Sequence, residues 1–320
     1  MVSVIVPVFN KHRYLEKALR SVLSQTYGEM EIIVVDDLST DNSLALAQHL
    51  LEDFPNKQVI HNKENKGLLL SRYIGIDAAH GKYIAFMDAD DWMEPRAVEE
   101  MVNLMTRTGA DLVQLRNQRR MRGVGVRYQE RYDPDMSGRL IDGDDFRILA
   151  SYVGMDSYIY PACWGKLYRR DLLKEAPRMD FNQFWGEDQI FNIQYLRLCR
   201  SIAFSDFVGY NYRWGGQTTR DYSFSAIRDY KNVHSLKRLF GQSEEDINRE
   251  MQMLLRYHVR SLFTELGYTH EAVEMVITEE LRDPLYARIG LDVDAATLVD
   301  QENAQIQKSS LKYVAKRFLR

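Results

Sequence analysis

The chain opens on an apolar run, Val2-Ser3-Val4-Ile5-Val6-Pro7-Val8, short and rich in β-branched residues. A run of this kind, without polar alternation, predicts a strand buried on both faces of a parallel sheet. The period then changes. Tyr14, Leu15, Ala18, Leu19, Val22 and Leu23 recur at spacings of three and four, which predicts one buried face of a helix. Ile32-Ile33-Val34-Val35 reads as a second buried strand. Ser39 or Thr40 is placed to cap a helix running to about Phe54. Val59-Ile60 is a short strand, and Leu68 to Ala79 a helix with Gly81 at its C-terminal cap. Tyr83 to Met87 is the next strand, Pro95 opens a further helix, and Asp111 to Leu115 closes the series.

Strands alternating with helices at short intervals predict an α/β fold with a doubly wound, mostly parallel sheet. Ligands of such sheets bind beyond the carboxyl ends of the strands. Acidic clusters fall at two of those ends: Asp36-Asp37 after the second strand, and Asp88-Ala89-Asp90-Asp91 after the strand at 83–87. From about 116 to 220 the pattern is mixed, with Gly123, Gly125 and Gly138 in a loop-like stretch that has room for a hairpin. From about 225 it turns helical, and Ile247, Met251, Leu254, Leu255, His258 and Leu262 mark one apolar face. The expected organisation is a catalytic domain over 1–224, divided into a nucleotide-binding half (1–115) and an acceptor half (116–224), with a helical region over 225–320.

Composition narrows the function classes. A chain of 320 residues with 45% hydrophobic and 28% charged residues is ordinary globular protein. A net charge of -4 carries no sign of nucleic-acid binding. Cys163 and Cys199 lack the spacing of a zinc site, and two isolated thiols fit a reducing compartment, with a disulfide as the alternative. No secretory leader is read at Met1 to Val8, and no stretch approaches the ~18 apolar residues that span a bilayer. The expectation is a cytoplasmic protein, soluble or peripheral at a membrane surface.

Three constellations carry chemistry. Asp88, Asp90 and Asp91 repel one another when ionised, and a hard divalent cation relieves that. Oxygen-only ligands favour Mg2+ or Mn2+, which also hold substrate phosphates; an acidic turn is the competing reading. A carboxylate in Asp36-Asp37 is suited to accept an N–H from a uracil-type base, or else it belongs to a loop and helix cap. In Trp185-Gly186-Glu187-Asp188, the acids open an apolar helix and suit its macrodipole. One of them could also take the proton of an acceptor hydroxyl in a displacement at an anomeric carbon, with inversion. The helix N-terminus is expected to keep that carboxylate ionised.

These segments together resemble family 2 of the inverting glycosyltransferases, which have the GT-A fold. The matching residues are Val2 to Asn10, Ser24-Gln25-Thr26-Tyr27, Ile32 to Ser43, Asn65-Lys66-Gly67 with Ser71-Arg72, Gly81 to Asp91, and Glu187-Asp188. Two positions depart from the pattern: Leu38 stands where glycine is commonest, and Tyr73 where asparagine is usual. The resemblance implies a Rossmann-like sheet and a nucleotide-sugar donor, with UDP favoured. Pro7, Val8 and Asn10 would line the nucleotide pocket and Asp37 would meet the base. Asn65, Arg72, Asp88, Ala89 and Asp90 would lie near the donor. Asp90 and Asp91, with Asp88, would hold Mn2+ or Mg2+ against the diphosphate. Asp188 would be the catalytic base, oriented by Glu187.

Weaker expectations attach to Trp164 and Trp185 as sugar-stacking rings, each with burial in the core as the alternative. Lys166 is expected to reach a phosphate. Tyr212 to Arg220, with Arg213 in it, reads as a loop closing over the diphosphate, or as a plain connection. The basic amphipathic stretch 308–320 suits an anionic membrane surface or a partner, or a docked helix. The expected partners are a nucleotide-sugar donor and a glycan or lipid-linked acceptor, with a homo-oligomer open. Two other classes fit the sequence less well. A nucleotidyltransferase usually brings a glycine-rich phosphate loop, which Phe9 to Arg13 lacks. A catalytically lost scaffold fits poorly with every expected acid being present.

Overall fold

Every residue of β1 (Val2–Val8) and of β2 (Met30–Asp36) is buried, as the unbroken apolar runs predict. The structure, a computed structural model, describes residues 1–120, 127–129, 133–151, 158–179, 186–213, 245, 255–256, 259–260, 263, 268–282 and 294–318. Within these, the side chains of 119, 120, 127–129, 151, 279, 280 and 307–318 are not described. The described residues up to 213 belong to one compact unit and those from 245 onward to another.

The first unit alternates as expected through its opening half, apart from a two-residue strand at Trp92–Met93 that the pattern does not predict. After β1 come α1 (His12–Leu23), β2, α2 (Ser43–Leu50), β3 (Lys57–His61), α3 (Leu68–Ala78), β4 (Tyr83–Phe86), β5 (Trp92–Met93), α4 (Ala97–Thr108) and β6 (Leu112–Arg120). The later part adds β7 (Arg127–Gln129), β8 (Leu140–Asp142), α5 (Gly143–Ser151), β9 (Lys166–Arg169), α6 (Arg170–Glu175), α7 (Glu187–Leu196) and β10 (Ser201–Arg213). The sheet order is β3-β2-β1-β4-β9-β6-β10-β5, with β7 on β6 and β8 on β10. The strands β3, β2, β1 and β4 are mutually parallel, and so are β6 and β10. Strand β9 runs antiparallel between β4 and β6. Most of the paired length is parallel, as expected, and the hairpin anticipated after 116 is β6 with β7.

Helices cover both faces. Val2, Val4, Val6 and Val8 pack with Leu15, Leu19 and Val22 of α1 and with α4. Ile5, Ile33 and Val35 pack on the opposite face with Leu69, Tyr73 and Ile76 of α3 and with Ile190, Phe191 and Ile193 of α7. The strand order reverses between β1 and β4, the switch point at which doubly wound sheets bind ligands. There β1 and β4 part. Their pairing ends at Ile5 with Phe86, followed by the Met87 N–H donating to the Ile5 carbonyl. Pro7, which has no N–H to give, faces the β4 side just past that point, so a proline is tolerated in a central strand.

Two local expectations are corrected. Ser39 and Thr40 do not cap α2, which is shorter than predicted. The Asp41 carboxylate accepts from the Ser43 N–H at 2.9 Å, while Ser39 Oγ accepts from the Asn10 N–H at 3.0 Å. Gly81 is not a left-handed helix cap. A Cβ there would lie 2.5 Å from Ser3 Oγ and 2.7 Å from the Ser3 nitrogen, so the position needs glycine because two backbones approach closely.

In the second unit, α8 (His270–Leu281) and α9 (Ala295–Phe318) bury Val273, Ile277, Leu298 and Val299 together with Leu255 and Val259. Glu302 is fully buried; it pairs with Arg256 at 2.7 Å and with Arg260. Of the apolar face expected from 247, only Leu255 falls among the described residues, as a buried one. Among the described residues no helix is long and apolar enough to cross a membrane.

Candidate functional site

Four loops meet at the carboxyl ends of β1, β2 and β4 and at the N-terminus of α7. Asn10, after β1, adopts a left-handed backbone (φ 52°), which asparagine tolerates better than most residues. Its Oδ1 accepts from the Thr40 N–H at 2.8 Å, the Thr40 hydroxyl at 3.2 Å and the Asp41 N–H at 3.3 Å, tying the β1 and β2 loops together. Leu38 also has positive φ, 63°, the physical reason for a glycine preference at that position. The Asp37 carboxylate accepts from Asn62 Nδ2 and from the Lys66 and Gly67 N–H groups, each at 2.8 Å. Asn65 donates to the Asp37 carbonyl at 3.2 Å. Asp37 and Asn65 thus shape the 65–67 loop beside the switch point.

The acidic loop follows β4. Ala89 is buried. Asp91 is 1% exposed. One of its oxygens accepts from the Tyr210 hydroxyl at 2.9 Å and the other from the Arg213 N–H at 2.7 Å. The same Tyr210 hydroxyl accepts from the Asp88 N–H at 3.2 Å. Arg213 Nε donates to the Asp90 carbonyl at 2.6 Å, and its guanidinium lies 4.9 Å over Tyr14 and 5.1 Å over Trp92. Gln25 supports the loop from behind, donating to the Glu94 carbonyl at 2.8 Å and accepting from the Val98 N–H at 2.9 Å. This gives the Ser24-Gln25-Thr26 segment its role.

Gly186, at φ 75°, turns the chain into α7, so Glu187 and Asp188 occupy its first turn. Asn192 anchors that turn, donating to the Pro161 carbonyl and to the Asp188 carbonyl at 2.8 Å. Phe191 packs edge-on against Phe86 and Tyr168. Between α7 and the acidic loop lies Arg72 of α3, with no exposed surface. Its guanidinium is 3.3 Å from Asp88, 3.8 Å from Glu187 and in direct contact with Asp188. Burial works against the Arg72 charge, but Asp188, the Cys163 thiol, Asp88 and Glu187 outweigh it and raise its pKa. Burial pushes the Glu187 carboxyl up to about 8, helped by Asp188 and opposed by Arg72. At Glu187 burial therefore outweighs the helix N-terminus. Burial and the neighbouring acids Asp188 and Asp90 likewise push Asp88 up to about 6, against Arg72, while burial, Asp90 and Asp88 raise Asp91.

That crowding is the test of a metal here. Raised carboxylates signal negative charge short of compensation, and oxygen donors suit Mg2+ or Mn2+. Yet among the described residues no group of three His, Cys, Asp or Glu side chains is arranged to hold an ion. Asp88, Asp90 and Asp91 point to different partners, so the expected three-carboxylate set is not formed. What fits is a cation attached through one or two carboxylates and completed by phosphate and water, the usual habit of Mg2+.

Other expectations are corrected outright. Trp164 is 4% exposed and its ring stacks on Tyr210 at 4.5 Å and 2°, so it packs the core and offers no face to a sugar. Lys166 is 1% exposed and donates to the Tyr160 carbonyl at 2.6 Å and to the Ala162 carbonyl, so it reaches no phosphate. Trp185 lies outside the described residues, as do the residues after Arg213 as far as 220. So do the side chains of the basic tail, although the α9 backbone runs to Phe318. Sequence reasoning missed Tyr210 and Lys11. Lys11 directly follows Asn10, which is the signal that would have found it.

A mostly parallel, doubly wound α/β sheet with polar loops gathered at its switch point, and an acidic loop facing further carboxylates across an arginine, is the class of fold this chain adopts. The profile of Glycosyl transferase family 2 matches residues 3–176, and the chain belongs to that family. It is 30% identical over 246 residues to Glycosyltransferase GlyA of Streptococcus pneumoniae serotype 4, covering 73% of this chain but only 33% of GlyA. With GlyG of the same organism it shares 26% identity over 313 residues, 92% of this chain and 97% of GlyG. Among solved structures, Staphylococcus aureus TarS 1–349 in complex with UDP-GlcNAc is similar in fold. The TM-score is 0.62 and the identity 21%, over 95% of this chain and 91% of that one.

Proposed function

We propose that the chain is an inverting glycosyltransferase that moves a sugar from a nucleoside-diphosphate sugar to a glycan or lipid-linked acceptor, in surface-polysaccharide synthesis on the cytoplasmic side of a membrane. UDP is the nucleotide to test first, in keeping with the UDP-GlcNAc bound by the similarly folded TarS. The observation that carries the proposal is Arg72. It joins Asp188 of α7 to Asp88 of the loop after β4, so the candidate base stands beside the candidate donor loop.

In the proposed reaction the Asp188 carboxylate takes the proton of the acceptor hydroxyl. The acceptor oxygen bonds to the anomeric carbon as the carbon–oxygen bond to the diphosphate breaks. One displacement inverts the centre and leaves no covalent enzyme intermediate. Arg72 holds Asp188 in place, and Glu187 stands beside it with its pKa raised by burial to about 8. Asp37, which still has lone pairs for another N–H, faces the base; Asn10 and Val8 border the nucleotide, and Pro7 opens the crevice. A bound Mn2+ or Mg2+, attached through Asp90 with Asp88 beside it, would offset charge on the departing nucleoside diphosphate. Asp91, held by Tyr210 and Arg213, keeps the loop in shape.

The test is calorimetric titration of UDP, GDP and dTDP, each with Mn2+ and with EDTA, on the native chain and on Asp188→Asn. We expect one nucleotide to bind both proteins alike, while Asp188→Asn loses about 10²- to 10⁴-fold in turnover. Normal turnover in Asp188→Asn would remove the assignment of the base.

A further inference from the structure

Lys11 stands apart from the expected site residues. The turn at Asn10 sends the chain into α1, and the Lys11 N–H donates to Ser43 Oγ at 2.9 Å, which fixes the root of its side chain. From there the four-carbon stem crosses the switch point between β1 and β4. Its Nζ lies 2.6 Å from Asp90 Oδ2, with the two side chains 16% and 11% exposed. A pair this sheltered is screened less than a surface ion pair.

The cations around the acidic loop are not equivalent. Arg72 is fully buried and held by Asp88, Glu187 and Asp188. The Arg213 guanidinium is held by the Asp90 carbonyl and by the rings of Tyr14 and Trp92. Lys11 is a point charge on a flexible stem, resting on the carboxylate best placed to carry a divalent ion. Lys11 holds one oxygen of the Asp90 carboxylate, whose charge a divalent ion would share, and a diphosphate brings negative charge that either cation can meet.

Resting on the donor-binding reading above, we propose that Lys11 is a built-in counter-cation at Asp90. It competes with the divalent ion for the carboxylate, and swings to the donor's diphosphate when that ion is absent or has displaced it. This predicts opposite effects on two ligands. Removing the ammonium weakens metal-free nucleotide binding and strengthens metal binding.

The experiment uses the full chain and Lys11→Met, which keeps an unbranched apolar stem, with Lys11→Arg as the charge-retaining control. UDP is titrated in EDTA, and Mn2+ is titrated separately without nucleotide, with free Mn2+ read by electron paramagnetic resonance. We expect Lys11→Met to bind UDP in EDTA roughly fivefold or more weakly and Mn2+ roughly fivefold or more tightly, as loss of one sheltered ion pair implies. Lys11→Arg should keep metal-free UDP binding near the native value. Adding Asp90→Asn should cancel the gain in Mn2+ affinity. A Lys11→Met chain unchanged for either ligand, or weakened for both as damage to the loop would cause, overturns the proposal. Failure of the native chain to bind any of the three nucleotides, with or without Mn2+, removes the donor reading along with it.

Discussion

At the scale of single residues, the site is shaped by backbone demands as much as by charge. Leu38 adopts φ 63° and is 37% exposed. A left-handed backbone costs an L-residue roughly 1–2 kcal/mol, most of all a β-branched one. Leu38→Gly should therefore leave stability within about 1 kcal/mol of the native value, strain relief being offset by unfolded-chain entropy. Leu38→Val should be lower than the glycine variant by about 1 kcal/mol; urea unfolding of the three chains measures the difference. Glu31 is the clearest titrating residue away from the site. Burial tends to raise its pKa, but hydrogen bonds from Ser3 Oγ, the His80 and Gly81 N–H groups and the His80 ring hold it below the ordinary value. The unfolded chain then binds the proton more readily than the folded one. The stabilisation is full above the ordinary glutamate pKa and is lost as pH falls through the lower folded value. Glu31→Gln should cost about 1 kcal/mol at pH 7 and progressively less in acid. A stability difference independent of pH would contradict this account.

At the scale of elements, close approach decides what pattern alone does not. The turn from α3 to β4 passes directly over Ser3 at the start of β1, and only a residue without Cβ fits at 81. Gly81→Ala forces a backbone shift and disturbs the hydrogen bonds that Gly81 donates to Ser3 Oγ and Glu31, each at 2.9 Å. The expected loss is about 1–3 kcal/mol, read as a lowered unfolding midpoint. Native stability in the variant would contradict the close-approach account. Strand β10 shows the same logic from the other side. Its end supplies Tyr210 and the Arg213 backbone to Asp91, so a late strand clamps a loop formed a hundred residues earlier.

At the scale of the whole molecule, Arg72 links α3, the loop after β4 and α7 through its carboxylate partners. Removing a cation from a buried cluster leaves uncompensated charge, which typically costs 3–5 kcal/mol. Arg72→Gln should lose about that much stability, with Arg72→Lys intermediate, in urea unfolding at neutral pH. A loss near zero would mean that the cluster neutralises itself by protonation, with Glu187 and Asp88 already raised.

The order of elements through β6, apart from the two-residue β5, was legible in the sequence, because a strand buried on both faces and a helix buried on one each impose a period that local residues must obey. The acids at strand ends were legible too, since a parallel sheet gathers those ends at one edge. The partners of those acids were not. Which cation meets Asp90, why Asp91 is saturated, and why Trp164 and Lys166 turn inward depend on contacts between residues far apart in sequence. So does the raised pKa of Glu187, because the helix N-terminus is a local influence, whereas burial beside Asp188 arises only once α7 packs on the sheet. Pattern is a local property and the sequence carries it; charge compensation is a property of distance and desolvation, and only the folded chain decides it.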